Sequence, residues 1–243
     1  MARGPRDPKE IFHGIIADYK EIFGDDLVGI VLYGSATGQE YRPGKSDINF
    51  MVFLSEDGIE RLDLAFTVVR KWRKQNVAIP LFLTESYVNE SLDVFPVEYL
   101  NFQKNHVPVF GKNILSNLTF DTECIRLQCE REIKGKLLLL REAYLESAGK
   151  GRALNKIVSH SIGAFIAVFE ALLYLRGKDI PKEKRKVIRD AALEFGMNTT
   201  ILEEVLDVKE DKAGTGSTEP GILFKQYLKE IRKLSKLVDA LGG

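Results

Sequence analysis

Residues 27–49 decide the reading: an apolar, β-branched run LVGIVLY at 27–33, then Gly34-Ser35, eleven intervening residues, and Asp47-Ile48-Asn49 opening a second apolar run. The first run predicts a short buried strand stopped by Gly34, and the second predicts a strand over 47–54. Between them, Gly38 and Pro43-Gly44 mark a turn. Residues i and i+2 on a strand share a face, so Asp47 and Asn49 are expected side by side. That spacing suits a particular chemistry. In-line transfer of a nucleotidyl group builds charge on the attacking and leaving oxygens, and two divalent cations offset it. Hard cations take oxygen ligands, which two acids at i and i+2 and a third on an adjacent strand would supply. Main-chain N–H groups of a Gly-Ser turn leading into a helix N-terminus would meet the triphosphate.

On these residues, YGSATG at 33–38 and KSDIN at 45–49, the chain resembles the nucleotidyltransferase superfamily that includes DNA polymerase β, kanamycin nucleotidyltransferase and the minimal nucleotidyltransferases. The resemblance covers roughly residues 27–111. It implies binding of a nucleoside triphosphate with Mg2+ or Mn2+, and transfer of a nucleotidyl group to an acceptor that is a small molecule, a protein or RNA. It implies metal ligation by Asp47 and Asn49 and nucleotide contacts from Gly34, Ser35, Lys45 and Ser46. Arg42 and Lys45 also read as an ordinary solvated loop face. The third carboxylate of the superfamily lies on a later strand between apolar residues, and Glu98 in VEYL at 97–100 matches that setting, with Asp93 as the alternative.

Asn49 departs from the pattern, because the superfamily carries Asp or Glu there. An amide oxygen can ligate magnesium but adds no charge, so Asp47, Asn49 and Glu98 would hold two negatives instead of three. Two readings follow. In one the chain is a metal-dependent transferase; in the other it is a catalytically inactive nucleotide-sensing or protein-interaction module that keeps the fold.

Outward from this element, apolar spacing predicts helices over 9–23 and 57–75, a strand over 77–83 with Pro80 marking an edge or a bulge, a short helix near 85–92 and a fourth strand over 97–102. From Asp121 onward the period is helical, with helices expected over 121–147, 153–176, 181–195, 199–208 and 221–241, and Pro181 as a first helical residue. The fold class is thus an α/β (α+β) nucleotidyltransferase domain with a small mixed sheet over 1–115, followed by an all-α helical bundle over 116–243.

Composition narrows the partners. Thirty-five Lys and Arg balance thirty-five Asp and Glu, so no global field draws nucleic acid or an anionic membrane, and the basic runs near 70–74 and 182–189 read as solvated helix faces. His13, His106 and His160 have no metal-ligand spacing and read as packing or surface residues. The GTGS stretch at 214–217 lacks the strand and the Lys of a phosphate loop and reads as a connection. Cys124 and Cys129, five apart in a helical stretch, read as reduced structural thiols. No apolar run is taken as a membrane span, so a cytoplasmic protein is expected. A homodimer is left open.

Overall fold

The computed structural model describes residues 4–38, 41–210 and 218–242, which fall into two compact units: 1–92 with 99–119, and 93–98 with 120–243. In the first unit a 3-10 turn at Pro8–Ile11 leads into α1 (Phe12–Phe23) and then β1 (Leu27–Tyr33). After a 3-10 turn at Gly34–Thr37 come β2 (Asn49–Leu54), α2 (Glu56–Ile59), a 3-10 turn at Leu62–Ala65, α3 (Phe66–Arg73), β3 (Leu81–Leu83) and α4 (Glu85–Glu90). Next follow α5 (Pro96–Lys104), whose residues 96–98 belong to the second unit, and β4 (His106–Gly111). The sheet order is β3-β2-β1-β4, with β1 antiparallel to both β2 and β4, and β2 parallel to β3. Ile30, Leu32, Ile48, Phe50, Val52 and Leu54 on one face of the sheet share a core with Ile15, Tyr19 and Phe23 of α1 and Val68 and Trp72 of α3. The Trp72 indole N–H donates to Asp18 at 2.8 Å, which satisfies the one polar group that this ring carries into the core.

Four expectations change here. The helix expected over 57–75 is broken into α2, a 3-10 turn and α3, because Gly58 sits against Asp26 in the bend that follows β2. The strand over 77–83 keeps only its second half, after an isolated bridge between Ile48 and Val77. Its pairing with β2 slips by one residue across Pro80, and β3 is an edge strand. The expected strand at 97–102 is helix α5, with Pro96 in its first turn, where the missing N–H costs nothing, and Glu98 placed favourably for the helix dipole. The fourth strand is instead β4, which tolerates Pro108 because it too lies at an edge.

The second unit is helical: α6 (Thr122–Glu146), α7 (Gly151–Leu175), α8 (Lys184–Glu194), α9 (Thr199–Lys209) and α10 (Pro220–Asp239). Asp121 and Asn198 cap α6 and α9 with side-chain oxygens. Pro181 lies ahead of α8 and is not its first residue. The stretch at 214–217 lies outside the described residues. Helix α7 is long and apolar enough to cross a membrane by length and composition alone. All four other helices of this unit pack on it, and Leu154, Val158, Ile162, Phe165 and Phe169 are buried.

Both cysteines are free. Burial, with Glu132 and Glu98 adding repulsion, pushes the Cys129 thiol up to about 12, and burial and nearby acids also raise Cys124. A raised thiol holds little thiolate at neutral pH, and the thiolate is the nucleophile. Titration with a thiol-reactive chromophore is expected to label Cys124 slowly and Cys129 only after denaturation. Rapid labelling of both in the folded protein would contradict this packing.

Candidate functional site

The motif residues meet at one end of the sheet, where β1 ends and β2 begins. Tyr33 pairs with Asn49 across β1 and β2, so Gly34 leaves the sheet directly beside the Asn49 side chain. A Cβ built on Gly34 would lie 3.3 Å from Asn49 Nδ2, and the backbone there has φ +78, a left-handed conformation that glycine adopts freely. Gly34 is therefore required twice, by the turn and by the approach to Asn49. Ser35 is exposed in the same turn, and the Thr37 hydroxyl donates to the Gly34 carbonyl at 2.8 Å. Among the described residues no α-helix follows this turn directly. The donors available to an anion are the first N–H groups of one 3-10 turn, fewer than the helix N-terminus expected from the sequence would have offered.

Asp47 lies just ahead of β2 and is exposed; Asn49 is half-buried as the first residue of the strand. The turn before them is closed by its own polar groups. The Ser46 hydroxyl accepts the Arg42 N–H at 3.0 Å, and the Ser46 N–H donates to the Arg42 carbonyl at 2.9 Å. Ser46 thus shapes the turn, while Lys45 and Arg42 are exposed on it. Across the sheet from Asn49, Tyr33 is followed by His106 of β4, so the three form a row on the face opposite the core. Sequence spacing gave no sign of this row, because strand pairing creates it. The Tyr33 ring meets Phe102 edge-on at 5.1 Å, and burial raises its hydroxyl above the ordinary tyrosine range. His106 Nδ1 lies 3.0 and 2.9 Å from the Phe102 and Gln103 carbonyls. Carbonyls only accept, so Nδ1 is the donor in these contacts.

The third carboxylate is not where the strand pattern placed it. Glu98 is on α5, not on a strand; it belongs to the second unit and accepts a hydrogen bond from the Gln128 amide. Asp93 is in the turn before α5, in the same unit. The strand that does adjoin β2 reads VAIPLFL over 77–83 and contains no acid. Ile79 and Leu81 are exposed there at 61% and 40%. Among the described residues no three carboxylate, histidine or cysteine side chains gather as a metal-holding group. One carboxylate and one amide oxygen fit a single magnesium that keeps its waters and takes further oxygens from a phosphate; they do not fit a pair of ions.

In chain order, a unit built on a small mixed sheet with this turn and strand precedes a helical unit. No protein-family model matches the chain, and no curated protein sequence matches it. Among solved structures it is similar to spectinomycin adenyltransferase AAD(9) from Enterococcus faecialis, solved with ATP and spectinomycin, at 13% identity and a TM-score of 0.48. The similarity covers 90% of this chain and 99% of that one. At that identity it concerns the fold and carries nothing to the site residues.

Proposed function

We propose that this protein is of nucleotidyltransferase type and holds a nucleoside triphosphate at the Gly34-Ser35 turn, with one divalent cation, Mg2+ or Mn2+, on Asp47. We infer further that it does not complete transfer to an acceptor, so that it acts as a nucleotide-sensing module. The observation that carries this reading is the acid count: Asp47 stands with an amide at Asn49, beside a β3 stretch without a carboxylate. A second cation, the one that would activate an acceptor hydroxyl, lacks ligands in such a set. A cytoplasmic setting with reduced thiols belongs to the same proposal.

The test is ATP binding by calorimetry with Mg2+ or Mn2+, run beside a pyrophosphate-release assay. The wild type is expected to bind without releasing pyrophosphate. Asn49→Asp is expected to tighten Mn2+-dependent binding at least about tenfold, or about 1.4 kcal/mol. Pyrophosphate released by the wild type and lost in Asp47→Ala would replace this reading with the transferase one.

A further inference from the structure

The zero net charge conceals a separation of charge along the first unit. At the end of the sheet where β2 finishes, Ser55 binds the Asp26 carbonyl at 2.9 Å, and Asp25, Asp26, Glu56, Asp57, Glu60 and Asp63 collect there, with only Arg61 paired among them. The opposite end, which carries Asp47, is cationic. The Ile48 N–H donates to the Asn76 carbonyl and the Ile48 carbonyl accepts from Ala78, both at 2.9 Å, which ties the exit of α3 to the residue between Asp47 and Asn49. Lys74 is two residues from Asn76, and Lys45 is two from Asp47, so each Cα lies within about 7 Å of those anchors. Arg73 adjoins Lys74, and Arg70 stands one turn earlier on α3.

A cleft of about 750 Å³ opens at the same end, lined by Pro5, Arg6, Glu10, Pro43, Gly44 and Gln75. Arg42 and Lys45 flank its Pro43-Gly44 wall, and Lys74 adjoins Gln75. Among the described residues, Arg6, Arg42, Lys45, Arg70, Arg73 and Lys74 form no ion pair, and all but Arg6 and its neighbours on the N-terminal segment come from two chain stretches joined at Ile48. Of the acids at this end, Asp47 is exposed and the others are engaged. Asp7 and Glu10 close a capping box, and Asp18 takes Lys71 and Trp72.

We propose that this cationic end is a docking surface for a phosphodiester backbone, and that the macromolecular partner of this chain is a nucleic acid. Six unpaired cations set around a cleft and a turn exceed what one triphosphate needs, and they supply the phosphate contacts from which non-specific nucleic-acid affinity arises. The surface lies outside the Asp47 and Asn49 pair and requires no turnover there, so it goes beyond the nucleotide reading.

The probe is a fluorescein-labelled 20-nucleotide single-stranded RNA of mixed sequence, followed by anisotropy at 50 and 200 mM salt, with and without saturating ATP. Counterion release by four to six contacts predicts a log–log salt slope of about −3 to −4. The triple variant Arg70→Glu, Arg73→Glu, Lys74→Glu is expected to lose at least about tenfold in affinity, and its glutamine counterpart covers the case in which the glutamates impair folding. Reversal of Lys225, Arg232 and Lys236 on α10 is expected to leave binding unchanged. The proposal is overturned by a flat salt response, by equal loss in the α3 and α10 triple variants, or by displacement of the RNA with ATP, which would assign these cations to the triphosphate. Calorimetric ATP binding measured on the same samples reads the nucleotide site separately, so either reading can fail without the other.

Discussion

Gly111→Ala is expected to lower the stability of the first unit by about 3 kcal/mol, the sum of a left-handed backbone of about 1–2 kcal/mol for an L-residue and an overpacking cost of about 1–3 kcal/mol. Gly111 ends β4 with φ +67, opposite Gly29 of β1. A Cβ there would stand 2.2 Å from the Val28 carbonyl oxygen and 3.1 Å from Gly29 Cα. These are backbone atoms of the central strand and cannot turn aside as a flexible side chain can. Gly29 is equally closed, since its Cβ would meet the Lys112 carbonyl oxygen at 2.5 Å. The two glycines are what lets β4 lie against β1, and β4 brings His106 into line with Tyr33 and Asn49. Urea unfolding measures the loss as a shift in midpoint at constant slope. Gly44→Ala serves as the control: its φ is +73, but nothing lies within 4 Å of the added carbon, so it should cost only the backbone part. Equal losses in the two variants would mean that the strand contact is not as close as described.

Much of this fold can be read in the chain because its signals are local. The run at 27–33 is β-branched and ends at a glycine, and it is β1 to the residue. The apolar stripes after Asp121 repeat at helical period over many turns, so all five helices of the second unit were expected at nearly their observed bounds. Residues 97–102 misled because VEYLNF joins strand-forming side chains to a helix start. Propensity pointed to a strand, and Pro96 with an acid in the first turn was the stronger signal. Residues 106–111 carry Pro108, which a central strand would not tolerate, and only the pairing shows that this strand is at the edge. The site divides the same way. Gly34 beside Asn49 follows from a spacing within one hairpin. Whether a third acid adjoins them depends on which strand lies next to β2, and that is a non-local fact. The adjoining strand precedes Glu98 in the chain and is apolar, and the acid between apolar residues stands on a helix.

Phe50→Ala gives the sharpest test of how this core supports the site, because Phe50 and Asn49 are consecutive on β2 and face opposite sides. Phe50 is fully buried, stands edge-on to Phe12 at 6.2 Å and belongs to the core shared with α1 and α3. Truncating it leaves a cavity under the strand and should cost about 3–5 kcal/mol. Trp72 is the only tryptophan of the chain and sits in that same core, so its fluorescence reports unfolding of the first unit. In a melt followed at Trp72 the variant should unfold well below the wild type. A ligand that binds only the folded state returns about 2.7 kcal/mol at one hundred times its dissociation constant. Saturating ATP with Mg2+ should therefore recover more than half of a loss at the lower end of that range. Asn49→Asp, one residue earlier, should behave in the opposite way, with a midpoint near the wild type and a larger upward shift on adding Mn2+ and ATP. A Trp72 transition that ATP leaves unmoved in both variants would place the nucleotide elsewhere and remove the basis for assigning Gly34, Ser35 and Asp47 to it.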